Sequence, residues 1–436
     1  MKEEFLHFIW HTRQFDQSDL VTDDGRRVTV IQNGRHNVDR GPDFSEAAIR
    51  LNNTLWAGNV EIHINSAQWY EHGHHHDPKY NSVILHVCWK VRGKIVREDG
   101  EAVPQIELHD RVESELLDRY EDLNYAFATI PCERLVANVQ ERIVTHCLDR
   151  MLIERMSTKA AELRRQLDHL KGDWSALYWW QLCRSFGGKI NAPGFEHLAR
   201  TIDHKLVLRH RKNPLRIEAL LFGCSGLLDV MGRSPYERQL RYEFDLLKRM
   251  YDLSEMDPSI WNFLHLRPGN FPTIRIAQLA AFLKDRSDLD PVLFVTDNMQ
   301  GMLSKFKVRA SPFWDDHYHF NKKSTRTKVK RVGGSMAHSI LLNWLFNLLY
   351  TRAEVHNSES MKERILSWMQ DLKFEENRVT ARFNAFPMSS RSMADSQALL
   401  TLYNNYCNLK RCTRCMIGGH IICHETKSYK YLETPD

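Results

Sequence analysis

The chain has 436 residues, enough for two to four domains of roughly 100–200 residues each. Its 60 Lys and Arg against 55 Asp and Glu leave a formal charge of only +5, which excludes a polybasic protein that binds nucleic acid through bulk charge; any such binding must be local. With 42% hydrophobic and 26% charged residues it is neither disordered nor collagen-like, and nine cysteines, sparse and odd in number, exclude a secreted disulfide framework.

Glu3 and Glu4 stand where a signal peptide would be basic. The longest apolar stretch, Ser339 to Tyr350, is broken by Asn343 and Asn347 and is too short to span a bilayer. A cytoplasmic, reduced protein with no membrane partner is expected. In chain order, Phe5, Phe8 and Ile9 mark a short amphipathic helix, and the β-branched run Arg27 to Ile31 marks a strand that ends at Asn33-Gly34. Ala47 to Leu51 and Thr54 to Ile64 flank the turn residues Asn52-Asn53, which predicts a hairpin. Asp77-Pro78 opens a single helical turn, and Ser82 to Trp89 is an apolar fourth strand. Residues 1–130 are therefore expected to form a mixed α/β domain: helix, three strands, short connection, strand.

From residue 131 the apolar period becomes helical, with Ile143, Val144, Cys147, Leu148, Met151 and Leu152 on one face of a long helix. Further helices near 174–186, 195–205, 214–230, 236–252 and 273–284, with a break at Gly187-Gly188, make 131–305 a helical domain. Residues 306–334 read as an aromatic and basic linker or loop. Residues 335–436 carry helices near 336–352, 359–373 and 393–405, the last opened by a Ser392/Asp395 capping box, and lead into a cysteine cluster. The expected class is α+β: an N-terminal α/β domain, a mainly α-helical region and C-terminal cysteines.

Three constellations carry chemistry. Asp43 sits just before the first hairpin strand, and Glu61 and His63 share one face of the second, so Asp43 and Glu61 are expected neighbours. Two converging carboxylates can hold Mg²⁺ or Mn²⁺ and activate water, with His63 as ligand or electrostatic stabiliser. Next, His72, His74 and His76 would share a face if their segment were extended, and with His63 or His86 they could bind a transition metal. Last, Cys407, Cys412, Cys415 and Cys423 suit Zn²⁺ or an iron–sulfur cluster, whose soft ligands a short loop can gather. Cys88, Cys147, Cys183 and Cys224 lie in apolar contexts and read as packing residues. A basic run of six charges in ten residues, Lys322, Lys323, Arg326, Lys328, Lys330 and Arg331, could contact phosphates while Trp314, Tyr318 or Phe320 stack on unpaired bases.

The Pro42-Asp43 and Glu61-Ile62-His63 pair, in this order of elements, resembles the PD-(D/E)xK nuclease superfamily, with His63 where lysine is usual. The resemblance covers roughly residues 1–95 and implies a restriction-endonuclease-like fold and metal-dependent phosphodiester hydrolysis, with nucleic acid as partner. Some nucleases of this superfamily hold a [4Fe–4S] cluster with one distant cysteine and three near the carboxyl end. By that analogy Cys132 would replace Cys423 as the fourth ligand, and the choice stays open. The runs Asn37 to Phe44, Gly58 to His63, Trp69 to His76, Ser82 to Val87, Arg267 to Leu279, Asp395 to Ala398 and Tyr406 to Gly418 also resemble, nearly end to end, a largely Bacteroidetes family defined as domain of unknown function 2851. That family brings no activity with it. The leading expectation is a metal-dependent nuclease-like enzyme acting on DNA or RNA. The alternatives are a catalytically inactive nucleic-acid-binding or scaffold protein, and a small-molecule hydrolase built on the histidines.

Overall fold

The computed structural model describes residues 1–424 apart from positions 38, 233, 285, 297, 385, 387 and 389; the end of the expected 335–436 segment lies outside the described residues. The chain forms a mixed α+β structure of two compact units that are not contiguous in sequence. The first comprises Met1–Met151, part of 378–389 and the described residues from Leu399 onward; the second comprises Leu152–Asn377 and Ser390–Ala398.

The first unit is built on a six-stranded sheet of β1 (Val28–Gln32), β2 (Arg35–His36), β3 (Phe44–Leu51), β4 (Thr54–Asn65), β5 (Val83–Lys90) and β6 (Gln105–Glu107). The order is β1-β3-β4-β5-β6, with β2 also paired to β3. β1, β3 and β4 pair antiparallel, whereas β4, β5 and β6 run parallel. The hairpin turns at Asn52-Asn53 as expected, with Leu51 opposite Thr54 and Asn52 in the left-handed region at φ 53° that asparagine tolerates. Helix α1 (Glu3–Thr12) packs on β4 and buries Phe5, Leu6, Phe8, Ile9 and Trp10. The strands β2 and β6 are too short to leave a periodic signal, and neither is expected from the sequence.

One irregularity positions the site. Ala47 pairs with Gly58, but Phe44 pairs with Val60, so β3 carries one extra residue, and Glu46 there adopts φ 58°. Continuing the hairpin register without this bulge would set Asp43 opposite Ile62. With it, Asp43 comes opposite Glu61.

The second unit is helical. It holds most of α4 (Glu141–His169, reached after α2, Gln68–Glu71, and α3, Ser114–Tyr125), then α5 (Trp174–Thr201), α6 (His204–Arg209), α7 (Pro214–Cys224), α8 (Pro235–Tyr251) and α9 (Pro272–Leu283). The break expected at Gly187-Gly188 is a kink inside α5, where Gly188 takes φ 59°. Residues 334–355 form one continuous run of helix with a π segment at Leu341–Phe346. The Ser392/Asp395 capping box forms: the Asp395 amide donates to Ser392 Oγ at 3.1 Å, and the Ser392 amide donates to Asp395 Oδ2 at 2.9 Å. Tryptophans anchor this core, as Trp344 Nε1 donates to the Tyr178 carbonyl at 2.9 Å and its ring meets those of Phe282, Phe294 and Phe306. Helices α7 and α8 pack so closely that a Cβ on Gly223 would lie 2.1 Å from the buried Phe244 ring. Gly223→Ala is expected to destabilise the protein by about 1–3 kcal/mol through overpacking, read as a lower urea midpoint; an unchanged midpoint would show that the ring can move aside.

Candidate metal centre

The bulge brings two carboxylates together at the mouth of the β3–β4 pair. The Asp43 amide donates to Glu61 Oε2 at 3.0 Å, and the Ile62 amide donates to Asp43 Oδ2 at 2.9 Å. His7 Nε2 of α1 lies 3.3 Å from Asp43 Oδ2 and 3.9 Å from Glu3 Oε1. Burial works against protonation of His7, but the Asp43 bond and the charges of Asp43, Glu3 and Glu61 outweigh it and raise its pKa.

Glu61 Oε1 faces imidazoles. It lies 3.2 Å from His74 Nε2 and 3.6 Å from His63 Nε2, and His63 Nε2 lies 3.1 Å from His72 Nδ1. The ligand atoms of His63, His72 and His74 all fall within 4.8 Å of one another. The separations of 3.1, 3.2 and 3.6 Å lie near the edge of about 3.4 Å that a tetrahedral site with metal–nitrogen bonds near 2.0–2.1 Å requires. His74 Nε2 is buried and makes no hydrogen bond, although it lies 3.2 Å from Glu61 Oε1. A buried imidazole nitrogen without a hydrogen bond beside a carboxylate is what a cation-binding cluster presents.

The hydrogen-bond chain behind His63 sets its tautomer. Gln105 Nε2 donates to Asp23 Oδ2 at 3.1 Å and to the Gly93 carbonyl at 2.9 Å, so its Oε1 is left to accept from His86 Nδ1 at 3.2 Å. His86 Nε2 must then be the acceptor for His63 Nδ1–H, at 2.8 Å. The Nε2 lone pair of His63 therefore points at His72, His74 and Glu61. Burial, followed by the neighbouring imidazoles, lowers the His63 pKa to about 2 and keeps the ring neutral, as a ligand must be. Burial, then the charge of Asp43, raises the Glu61 pKa to about 9. Gln105→Leu is expected to weaken Mn²⁺ binding roughly 10–100-fold, the usual cost of losing an outer-shell partner. Unchanged affinity by calorimetry would show that the chain does not orient His63.

His76 does not join this group. The segment is not extended: α2 is followed by Gly73 at φ 74° and a 3₁₀ turn over His74–His76, so the expected alternation fails and His76 is exposed against His75. His86 stands behind His63 rather than beside it as a fellow ligand. Glu3, His7 and Gln105 were not signalled as site residues, although the i,i+4 spacing of Glu3 and His7 places them on one helix face.

The cysteines gather elsewhere in the first unit. Cys132, Cys407, Cys412 and Cys415 are buried within electrostatic reach of one another, and Cys147, read above as a packing residue, is hydrogen-bonded to Cys415. Cys423 is half-buried, with Arg119 as its charged neighbour. All are reduced. The Cys147 hydrogen bond, the Gly418 and Ile417 amides and the charge of Arg150 together bring the Cys415 pKa down to about 7 against the effect of burial, while burial raises that of Cys412 to about 12.

In the second unit the aromatic residues beside the basic run are partly internal, while the basic residues other than Lys330 are exposed. Trp314 and Phe320 are buried against Phe222, which removes them as stacking platforms for bases. Lys330 is buried, with Nζ donating to the Asp315 and Lys328 carbonyls and lying 4.0 Å from the centre of the Tyr318 ring. Lys322, Lys323, Arg326, Lys328 and Arg331 are exposed.

The sheet, its helices and the histidine–carboxylate cluster define an α+β protein with a candidate cation site. Residues 3–378 match the family model described as "Protein of unknown function (DUF2851)", and the chain belongs to that family. No curated protein and no solved structure matches it. Among the described residues, no helix is long and apolar enough to cross a membrane.

Proposed function

We propose that the chain is a metal-dependent phosphodiesterase, a nuclease-like enzyme acting on DNA or RNA. The observation that carries this reading is the convergence of Glu61, His63, His72 and His74 beside Asp43. Glu61 and the three imidazoles would hold a divalent cation, and of Mg²⁺ and Mn²⁺ the latter suits imidazole nitrogen better. Such a cation supplies a hydroxide nucleophile and polarises a phosphoryl oxygen. The Asp43–His7 pair is placed to take the proton from the attacking water and return one to the alkoxide released when the P–O bond breaks.

A cavity of about 590 Å³ in the same unit supports the polyanion reading. It runs past His7 and is lined by His11, His36, Arg150, Arg414 and His420, with Glu4 the only carboxylate on its wall among the described residues. Burial, followed by the neighbouring His7 and Arg414, depresses the His36 pKa against the opposing charge of Asp43. The order of α1, the antiparallel strands, the helical connection and parallel β5 is also the order expected of a restriction-endonuclease-like core. A second reading, hydrolysis of a small phosphoester, is favoured by the burial of Glu61, His63 and His74. Incubation with Mn²⁺ or Mg²⁺ and either labelled oligonucleotides or a small diester separates the two. Salt-sensitive oligonucleotide binding without turnover of either would instead make the chain a catalytically silent nucleic-acid binder.

A further inference from the structure

The run Arg267 to Leu279 takes no part in the chemistry proposed above. In the second unit it forms one wall of a cavity of about 850 Å³, within the range of roughly 300–1,000 Å³ usual for small-ligand sites. We propose that this cavity binds a nucleoside phosphate, with Arg275 as the anchor of the phosphate group. The site is distinct from the histidine–carboxylate centre and needs no metal ion.

Arg275 is held in place by neutral groups. Its Nη1 donates to Gln278 Oε1 at 2.8 Å and its Nη2 to Asn270 Oδ1 at 2.7 Å. Gln278 is buried and oriented in turn, since its Nε2 donates to the Arg331 carbonyl at 3.0 Å and so leaves Oε1 as the acceptor. The other N–H donors of the guanidinium have no acceptor among the described residues. Burial, with no negative charge opposing it, lowers the Arg275 pKa to about 10.

Stability does not account for this guanidinium. Arg275 lies in α9 close to its N-terminus, the end at which the helix dipole disfavours a cation. Other arginines of the same unit meet carboxylates: Arg241 pairs with Glu255 at 3.1 Å, Arg216 with Glu243 at 3.2 Å and Arg352 with Asp290 at 2.9 Å. A partly desolvated guanidinium clamped by two amides, with spare donors and no counter-ion, is arranged to receive an anion from outside.

The rest of the wall selects the kind of anion. Arg331 and Lys373 add two exposed cations. At Gly333 and Gly334 the wall is bare backbone, because a Cβ on either would meet no atom within 4 Å, and a phosphate can approach closely there. The half-buried Phe374, with Met393, offers an apolar face to a ring. Two carboxylates, Glu375 and Glu376, also line the cavity, and neither is among the charges that act on Arg275. Gln397 Nε2 donates to Glu375 Oε2 at 3.2 Å and steadies it. Carboxylates set apart from the cations suit hydroxyl and amine donors. A phosphate, a flat ring and several such donors in one small molecule describe a nucleoside phosphate.

The test is calorimetric titration of the full chain, freed of metal with EDTA, using the mono- and diphosphates of the common ribonucleosides, the unphosphorylated nucleosides and inorganic pyrophosphate. At least one nucleoside phosphate is expected to bind, with its nucleoside at least about tenfold weaker. Arg275→Gln should weaken that binding by at least about tenfold, and Arg275→Lys should recover only part of the loss, since a point charge replaces a planar fork. Because changes at Arg275 can disturb α9, joint Arg331→Gln and Lys373→Gln substitution at exposed positions provides a second variant, expected to weaken binding roughly fivefold with an unchanged urea midpoint. Failure of every nucleoside phosphate to bind overturns the proposal, and so does binding that none of these substitutions weakens. Pyrophosphate bound as tightly as any nucleotide, or nucleosides bound as tightly as their phosphates, overturns the ligand class. Joint His72→Ala and His74→Ala substitution should leave this binding unchanged, so failure of the hydrolase reading and failure of this one are distinguishable.

Discussion

Glu61→Gln should abolish Mn²⁺-dependent phosphodiester cleavage, lowering kcat/KM by at least about 10³-fold, or roughly 4 kcal/mol of transition-state stabilisation. The loss should exceed the roughly 10–100-fold cost of an outer-shell change, because Glu61 is the carboxylate on which His63 and His74 converge. Glutamine keeps the shape and can still accept from the Asp43 amide, so the urea midpoint should stay close to that of the unaltered protein. Asp43→Asn should cost less, roughly 10²-fold, since asparagine retains the bond from the Ile62 amide but loses the charge that holds the His7 proton. Steady-state cleavage of a labelled oligonucleotide checks both. Activity surviving both substitutions would place the chemistry elsewhere.

The second large effect is on pH. Burial, then Asp43, holds the Glu61 pKa at about 9, so the carboxyl is protonated at neutral pH and must lose its proton when a cation binds. His63, with a pKa near 2, is neutral already and adds no second proton. Mn²⁺ affinity should therefore rise about tenfold per pH unit between pH 6 and 8, with about one proton released per ion in calorimetry run in two buffers. For the metal-free protein the sign is opposite. A carboxyl raised from 4.5 to about 9 on folding contributes stability that is fully present below pH 4.5 and is lost as pH climbs toward 9. A pH-independent affinity would show that Glu61 does not ligate the ion.

Several parts of this arrangement are legible in residues 1–95. Asn52-Asn53 between two strand-like runs specifies the hairpin, and period-two alternation puts Glu61 and His63 on one face. The proximity of Asp43 to Glu61 is expected too, but its cause is not visible: a two-residue turn alone sets Asp43 opposite Ile62, and the bulge at Glu46 that corrects the register leaves no compositional mark. His76 fails for a related reason, because alternation assumes an extended chain and Gly73 lets helical turns form instead. Cys147 hides in the apolar stripe of α4, where a thiol and a small hydrophobe look alike in sequence, and only the fold brings it to Cys415. The run Lys322 to Arg331 shows the opposite failure. Its aromatic neighbours look like stacking platforms, yet burial against Phe222 outweighs exposure for rings as large as Trp314 and Phe320.

The cation itself is the most direct point of attack. Crystals soaked in Mn²⁺ and measured for anomalous scattering should show one strong peak bounded by Glu61 Oε1, His63 Nε2, His72 Nδ1 and His74 Nε2, close to 2.0–2.3 Å from each. Soaked crystals with no peak there, or with manganese bound only at other residues, would contradict the metal centre and the hydrolytic function built on it.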